Sequence, residues 1–335
     1  MKPLLPSVGL AVFFLLNAAA QSAPIASPST TNAPASAKKS SYLRVREPAT
    51  NQVELQIALR KFVPVGKPGP TVWLSGVAHI GDTNYYQTLQ KHLDAQGLVL
   101  FEGVNGGKRL PNPSPTNGIP GPPKPDSSLQ SNLAGSLGLA FQLDSINYDR
   151  PNFRNSDLSV DQLRKLMSDD KSTAAEFQSM MKMMDGSSLF SVIFQGGLKL
   201  ISSSPRMRAY SKLILIETLG NAPADLAQIS GTTPGMKKLM KVIVETRNEV
   251  VLKDLAAELK LATPPKTISI FYGAGHMDHL EQILCAQLGY KADGELWHTA
   301  INLDLQSAGI SAREAGFYRA MVHSQFEKLA PKPNP

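Results

Sequence analysis

"VWLSGVAH", residues 72–79, and "ISIFYGAGH", residues 268–276, decide how this chain folds. Each is an apolar run followed by Gly-x-x-His. The runs are too short for helices and too apolar for exposed strands, so they read as strands buried on both faces. A third run of the same kind, "LVLFE" (98–102), ends in a carboxylate. Ligands of open parallel α/β sheets bind at the carboxyl ends of the strands. His79, Glu102 and His276 would stand at those ends, and the glycines before the histidines would permit a sharp turn and leave room for a ligand.

The surrounding sequence supports this reading. "GDTNYYQTLQKHLDAQG" (81–97) joins the first and third runs. It has Asp82 as a candidate cap, a stripe through Tyr86, Leu89 and Leu93, and Gly97 as a stop, which predicts a helix, a crossover and a parallel strand pair. Upstream, Val53–Val63 partly alternates and predicts a strand. Downstream, Thr267–Tyr272 predicts a strand, "HMDHLEQILCAQLG" (276–289) a helix closed by Gly289, and Leu296–Leu305 a last strand. Residues Asn105–Pro125 are so rich in Pro, Gly and Asn that they read as an irregular loop. From Ser127 to Leu261 the chain reads as mostly helical, with Ser159 and Gln162 at capping-box spacing. The expected fold is α/β, with a mixed, largely parallel central sheet built from two related βαβ halves and a helical insertion between them. A single domain would span residues 43–330.

The 335-residue chain is 42% hydrophobic, enough for a substantial core. Its first twenty residues carry one Lys, an apolar stretch from Val8 to Leu16, and Ala18-Ala19-Ala20, the pattern of a secretory signal cleaved before Gln21. Retention as a membrane anchor is the alternative, which Pro6 and the shortness of the stretch disfavour. Residues 21–42 form a Ser/Ala/Pro-rich linker unable to bury enough surface to order itself. The protein is therefore expected to be exported, periplasmic or extracellular, with no integral membrane segment after cleavage. Cys285 is the only cysteine, so no intrachain disulfide can form. Lys and Arg exceed Asp and Glu by 34 to 27, but they are scattered without interleaved aromatics, so nucleic acid is not an expected partner.

Arg247 falls on the apolar stripe of Met240, Ile243, Val244, Val251 and Leu255. A buried guanidinium needs an anionic partner, so it would hold Glu102 or stabilise an oxyanion. His279, one turn beyond His276, lacks the His-Glu-x-x-His spacing of zinc peptidases and reads as a supporting residue. His92, His298 and His323 have no such context. Cys285 reads as a buried, inert thiol, and the methionines of residues 180–185 as packing. There is no nucleophile elbow, Walker loop or dinucleotide-binding glycine motif.

"SGVAHIGDTNYYQTL", "VLFEGV", "INYDRPNFRNSDLS", "VETRN" and "FYGAGHMDHL" together resemble the TraB/GumN family, which includes the Tiki proteins and is grouped with the erythromycin esterase and ChaN-like proteins. The resemblance spans about residues 70 to 300, and departs from the family in the Pro-rich loop and the Met-rich insertion. It implies two related halves whose Gly-x-x-His motifs meet, and a metal-dependent protease with His79, Glu102, Arg247 and His276 in its site. Tyr148, Asn155 and Asp157 match a further family segment; Asp157 would cap the helix that follows. The expectation is a hydrolase of peptide or amide bonds in a peptide or protein substrate. A divalent ion (Mn, Co or Zn) would be held by His79, Glu102 and His276, with His79, Glu102 and Arg247 catalytic. Two alternatives stand beside it. One is a metal-free, esterase-like hydrolase with His79 as base oriented by Glu102; the other is a non-catalytic peptide-, haem- or iron-binding protein.

Overall fold

The structure, a computed structural model, describes residues 41–103, 129–168, 170–184, 197–199, 201–224 and 233–329. The expected signal, residues 21–40 of the linker and the Pro-rich loop lie outside these residues, as do the side chains of residues 180–185. The end of the expected linker belongs instead to the fold, with Tyr42 fully buried and its hydroxyl donating to Glu281 at 2.6 Å. Seven strands form one mixed sheet: β1 (Leu43–Arg46), β2 (Gln52–Pro64), β3 (Thr71–Val77), β5 (Leu98–Phe101), β7 (Phe153–Asn155), β8 (Thr267–Gly273) and β9 (Tyr290–Asp304). Two further strands, β4 (Ile80–Gly81) and β6 (Ala140–Phe141), pair separately. The helices are α1 (Thr83–Asp94), α2 (Leu129–Leu137), α3 (Gln142–Ser145), α4 (Val160–Ser168), α5 (Lys171–Met184), α6 (Pro205–Gly220), α7 (Pro234–Lys241), α8 (Arg247–Glu258), α9 (Met277–Leu288) and α10 (Ala312–Leu329). None of the described helices is long and apolar enough to cross a membrane.

β3, β8, β5 and β7 run parallel in that order, whereas β2 joins β1, β3 and β9 antiparallel. β3 and β5 are thus parallel but not neighbours. β8, almost two hundred residues further along, lies between them, and this insertion brings the second Gly-x-x-His beside the first. The buried strands are apolar for the reason inferred from the sequence: both faces are covered. Ile268, Ile270 and Tyr272 of β8 join Val251 and Leu255 of α8 and Leu280 and Leu284 of α9. Phe271 faces the other way, into the separate core that also holds Leu89 and Leu93 of α1, Leu213 of α6 and Val322 of α10.

Several local expectations change. Helix α1 ends at Asp94 with Ala95 as its cap, and Gly97 instead leads into β5, where a Cβ would stand 3.0 Å from the Thr267 carbonyl oxygen. Asp82 occupies the N-cap position but does not cap; its carboxylate accepts from Asn302 N at 2.8 Å, docking α1 on β9. The last strand starts at Tyr290 rather than Leu296, because its first half is an exposed charged edge that hydrophobic patterning does not mark. It also pairs antiparallel with β2, so the second half-repeat makes no adjacent parallel pair. The largely helical segment hides β6 and β7, strands too short to show a period. Ser159 and Gln162 do form the capping box, with bonds of 3.2 and 2.8 Å, and Gly289 closes α9 at φ 71°.

Candidate active site

His79, Glu102, Asp157 and His276 leave the carboxyl ends of parallel strands, and Arg247 and Asn248 face those ends from α8. β3 ends at Val77 and the chain turns through His79 into β4, which pairs with β6. That short ribbon places Gln142 against His79, and Gln142 N donates to the His79 carbonyl at 2.8 Å. β5 delivers Glu102, β7 delivers Asp157, and β8 passes through Gly273 into a 3₁₀ turn, Ala274–His276. A π-helical turn, Val242–Thr246, immediately precedes Arg247 and Asn248. Such turns recur at functional sites because they re-aim the residues that follow. Here two consecutive polar side chains, Arg247 and Asn248, are both buried.

Arg247 bridges two carboxylates. Its Nε and Nη2 donate to Asp157 at 2.9 and 2.6 Å, and Nη2 also donates to Glu102 Oε1 at 2.6 Å. Burial opposes the guanidinium charge, but the two carboxylates outweigh it and Arg247 stays protonated. The Asp157 carboxylate is fully buried and accepts further from Gly103 N at 2.9 Å and Leu158 N at 2.7 Å. It is therefore an anchor for Arg247 and for the turn after Glu102, not the helix cap inferred above; Ser159 caps that helix. Asn155 completes the turn by donating to the Gly103 carbonyl at 2.7 Å.

Glu102 faces both imidazoles. Oε2 accepts from Gly273 N at 2.7 Å, and Oε1 lies 3.7 Å from His276 Nε2. Burial would raise the carboxyl pKa, but His276, Arg247, His79 and the Gly273 N–H together hold it at about 2. His276 is buried; burial pushes its pKa below the ordinary imidazole value despite the neighbouring carboxylate. Its Nδ1 is bonded to Asn248 Oδ1 at 2.7 Å. His79 is exposed, with Nδ1 bonded to Gln142 Oε1 at 2.9 Å. The hydrogen bond that orients His79 thus comes from Gln142 and not from Glu102. A Cβ added to Gly273 would stand 3.3 Å from Glu102 Oε2, 3.7 Å from His276 Cδ2 and 3.9 Å from His79 Nε2, so the two imidazoles and the carboxylate surround one point. Gly273 has φ −51°, open to any residue. Glycine is needed there for space, not for the turn anticipated from the sequence.

The four residues singled out in the sequence therefore meet, with Arg247 behind Glu102 rather than facing the open side. Two imidazole nitrogens and an ionised carboxylate are a donor set suited to a divalent ion. The 3.7 Å between His276 Nε2 and Glu102 Oε1 suits two ligands of one ion with bonds near ~2 Å. The donor chemistry fits. As they stand, no three His, Cys, Asp or Glu side chains among the described residues already close around an ion, since Arg247 and Gly273 draw the Glu102 oxygens toward themselves. Gln142 and Asn248 were not among the sequence candidates. Asn248 had one usable signal, a second polar residue beside Arg247 in an apolar helix face; Gln142 had none. His279 bonds Asn248 Nδ2 through its Nδ1 at 3.0 Å, a supporting place. Cys285 is half-buried, more open than expected, and burial raises its thiol pKa.

The arrangement makes stability acid-sensitive. Glu102 titrates at about 2 in the folded chain against 4.5 ordinarily, so the unfolded chain takes up the proton first. The contribution is complete above about pH 4.5 and is lost as pH falls toward 2. Urea midpoints between about pH 5 and 3 should fall less steeply in Glu102→Gln than in the wild-type chain; parallel slopes would show that Glu102 is not held ionised.

Fold and site together define an α/β protein whose parallel strand ends gather an ion-paired carboxylate and two imidazoles. Comparison with protein-family models, curated proteins and solved structures returned no match for this chain.

Proposed function

We propose that the protein is an exported, divalent-metal-dependent hydrolase of peptide or amide bonds. One observation carries the metal part of this reading: His79 and His276 turn their Nε2 edges toward Glu102 while their Nδ1 atoms are held by side-chain amides. Metal-bound histidines are held in this way, with the remote nitrogen bonded to an oriented acceptor. The resemblance to the TraB/GumN and Tiki proteins supports the hydrolytic reaction and the peptide class of substrate.

His79, His276 and Glu102 would hold the ion, which when bound lowers the pKa of a water and polarises the scissile carbonyl. Glu102 stays ionised and fixed because Arg247 and Gly273 N each take one of its oxygens. Arg247 is bonded to both carboxylates, so it orients Glu102 rather than contacting substrate. His79 is the exposed member of the set; with Nδ1 bonded to Gln142 Oε1 and Nε2 turned to the ion, it would serve as a ligand on the open side of the site.

The test is metal content by mass spectrometry on the untagged mature protein and on His79→Ala/His276→Ala, after incubation with manganese, cobalt or zinc. Near-stoichiometric metal in the wild type alone, with chelator-sensitive turnover of peptides, supports the reading. Equal and negligible metal in both overturns it. Turnover that survives chelation then indicates the metal-free hydrolase, and a Soret absorbance without turnover indicates haem binding.

A further inference from the structure

We infer that Gln142 and Asn248 are positioning residues whose amide oxygens fix the tautomer of the two imidazoles, so that both present an Nε2 lone pair to the same point. The inference rests on the proposed metal site and names what sets its donors.

Which imidazole nitrogen carries the proton is decided by the bond the other nitrogen makes. A free histidine side chain in water favours the proton on Nε2, which would blunt both donors here. An amide oxygen only accepts, so an amide oxygen at Nδ1 enforces the opposite tautomer. That requires the amides themselves to be oriented. Asn248 is fixed by an acceptor-only carbonyl, whereas Gln142 Nε2 donates to the Tyr148 hydroxyl at 2.8 Å with Oε1 toward His79, a looser hold because a hydroxyl can also donate. Tyr148 is in turn braced by Phe101, Phe153 and Phe271, its ring centroid 5.0, 6.3 and 6.2 Å from theirs. Asn248 Nδ2 donates to the His276 carbonyl at 3.2 Å and to His279 Nδ1 at 3.0 Å, turning Oδ1 toward His276 Nδ1. Asn248 is fully buried. Both halves of the site therefore use the same device, built from unrelated elements: α3 behind the first histidine and α8 behind the second.

The test reads the tautomer directly, by long-range proton–nitrogen correlation on the full chain labelled with ¹⁵N-histidine, without added metal. The expected result is Nδ1–H for both His79 and His276. In Gln142→Met, His79 moves to Nε2–H while His276 is unchanged; Gln142→Glu, which keeps an acceptor at Nδ1, restores Nδ1–H. Asn248→Asp keeps Nδ1–H at His276, and it serves where Asn248→Leu fails to fold. Titration with Mn²⁺ should show affinity weakened roughly 10- to 100-fold in Gln142→Met. A wild-type imidazole protonated at Nε2, or a His79 that keeps Nδ1–H in Gln142→Met, overturns the inference. If the tautomers shift as expected while the wild type binds no divalent ion, the positioning role stands and the metal reading falls.

Discussion

Arg247→Met is expected to lower the free energy of unfolding by about 3–5 kcal/mol, as read from urea denaturation. The guanidinium is buried and serves two carboxylates, one of them fully buried. Methionine fills most of the stem but leaves Glu102 and Asp157 facing one another without a cation, and removing one partner of a buried ion pair costs far more than the pair itself contributes. The diagnostic comparison is the triple variant Arg247→Met/Glu102→Gln/Asp157→Asn. With the charges gone, much of the loss should return, as the coupling between residues sharing one network requires. A single variant within about 1 kcal/mol of wild type would show that solvent reaches these carboxylates and that the ion pairs behave as surface pairs do.

Gly81→Val is the second large effect, with an expected cost of about 3 kcal/mol and a disordered His79. A Cβ at residue 81 would lie 2.8 Å from the Ala300 carbonyl oxygen and 3.1 Å from Tyr85 Cδ1. The obstacle is backbone, and that same carbonyl accepts from Asp82 N at 2.7 Å, so β4 and the start of α1 would have to lift from β9 together. Because β4 pairs with β6 and so sets Gln142 beside His79, the substitution should also release the ¹⁵N signature of the His79 tautomer. Gly275→Ala is the control: nothing lies within 4 Å of its added Cβ, and the midpoint should scarcely move. Equal midpoints for Gly81→Val and wild type would mean that the β4 ribbon is not packed against the sheet.

Both experiments probe features that differ in how far the sequence revealed them. Arg247 betrayed itself by sitting on an apolar stripe, and burial of a charge demands a counter-charge, so an anionic partner followed from the sequence, with Glu102 or an oxyanion as the two readings; the structure supplies Glu102. Asp157 as the second partner did not, because a Ser-flanked aspartate before a helix has an equally good local reading as a cap. Its true bonds cross ninety residues. Gly273 was visible as a glycine, but whether glycine answers a torsion or a lack of space depends on what packs above it. The φ of −51° and the 3.3 Å approach of Glu102 show that it was space.

By itself the sequence determined the elements and the chemistry within them. Apolar runs of strand length, a capping box, a closing glycine and charged groups on buried faces are local facts, set by periodicity and by the cost of burying charge. Tertiary structure alone decided the arrangement. β8 entered between β3 and β5, β7 became the sheet edge, and a two-residue ribbon carried Gln142 to His79. Strands with the same apolar pattern can pair in any order as far as local energetics are concerned, since each buries both faces equally well. Only the sum of helix packing on the two sides and the bonding of every buried polar group at the strand ends selects one order, and that sum exists only in the folded chain.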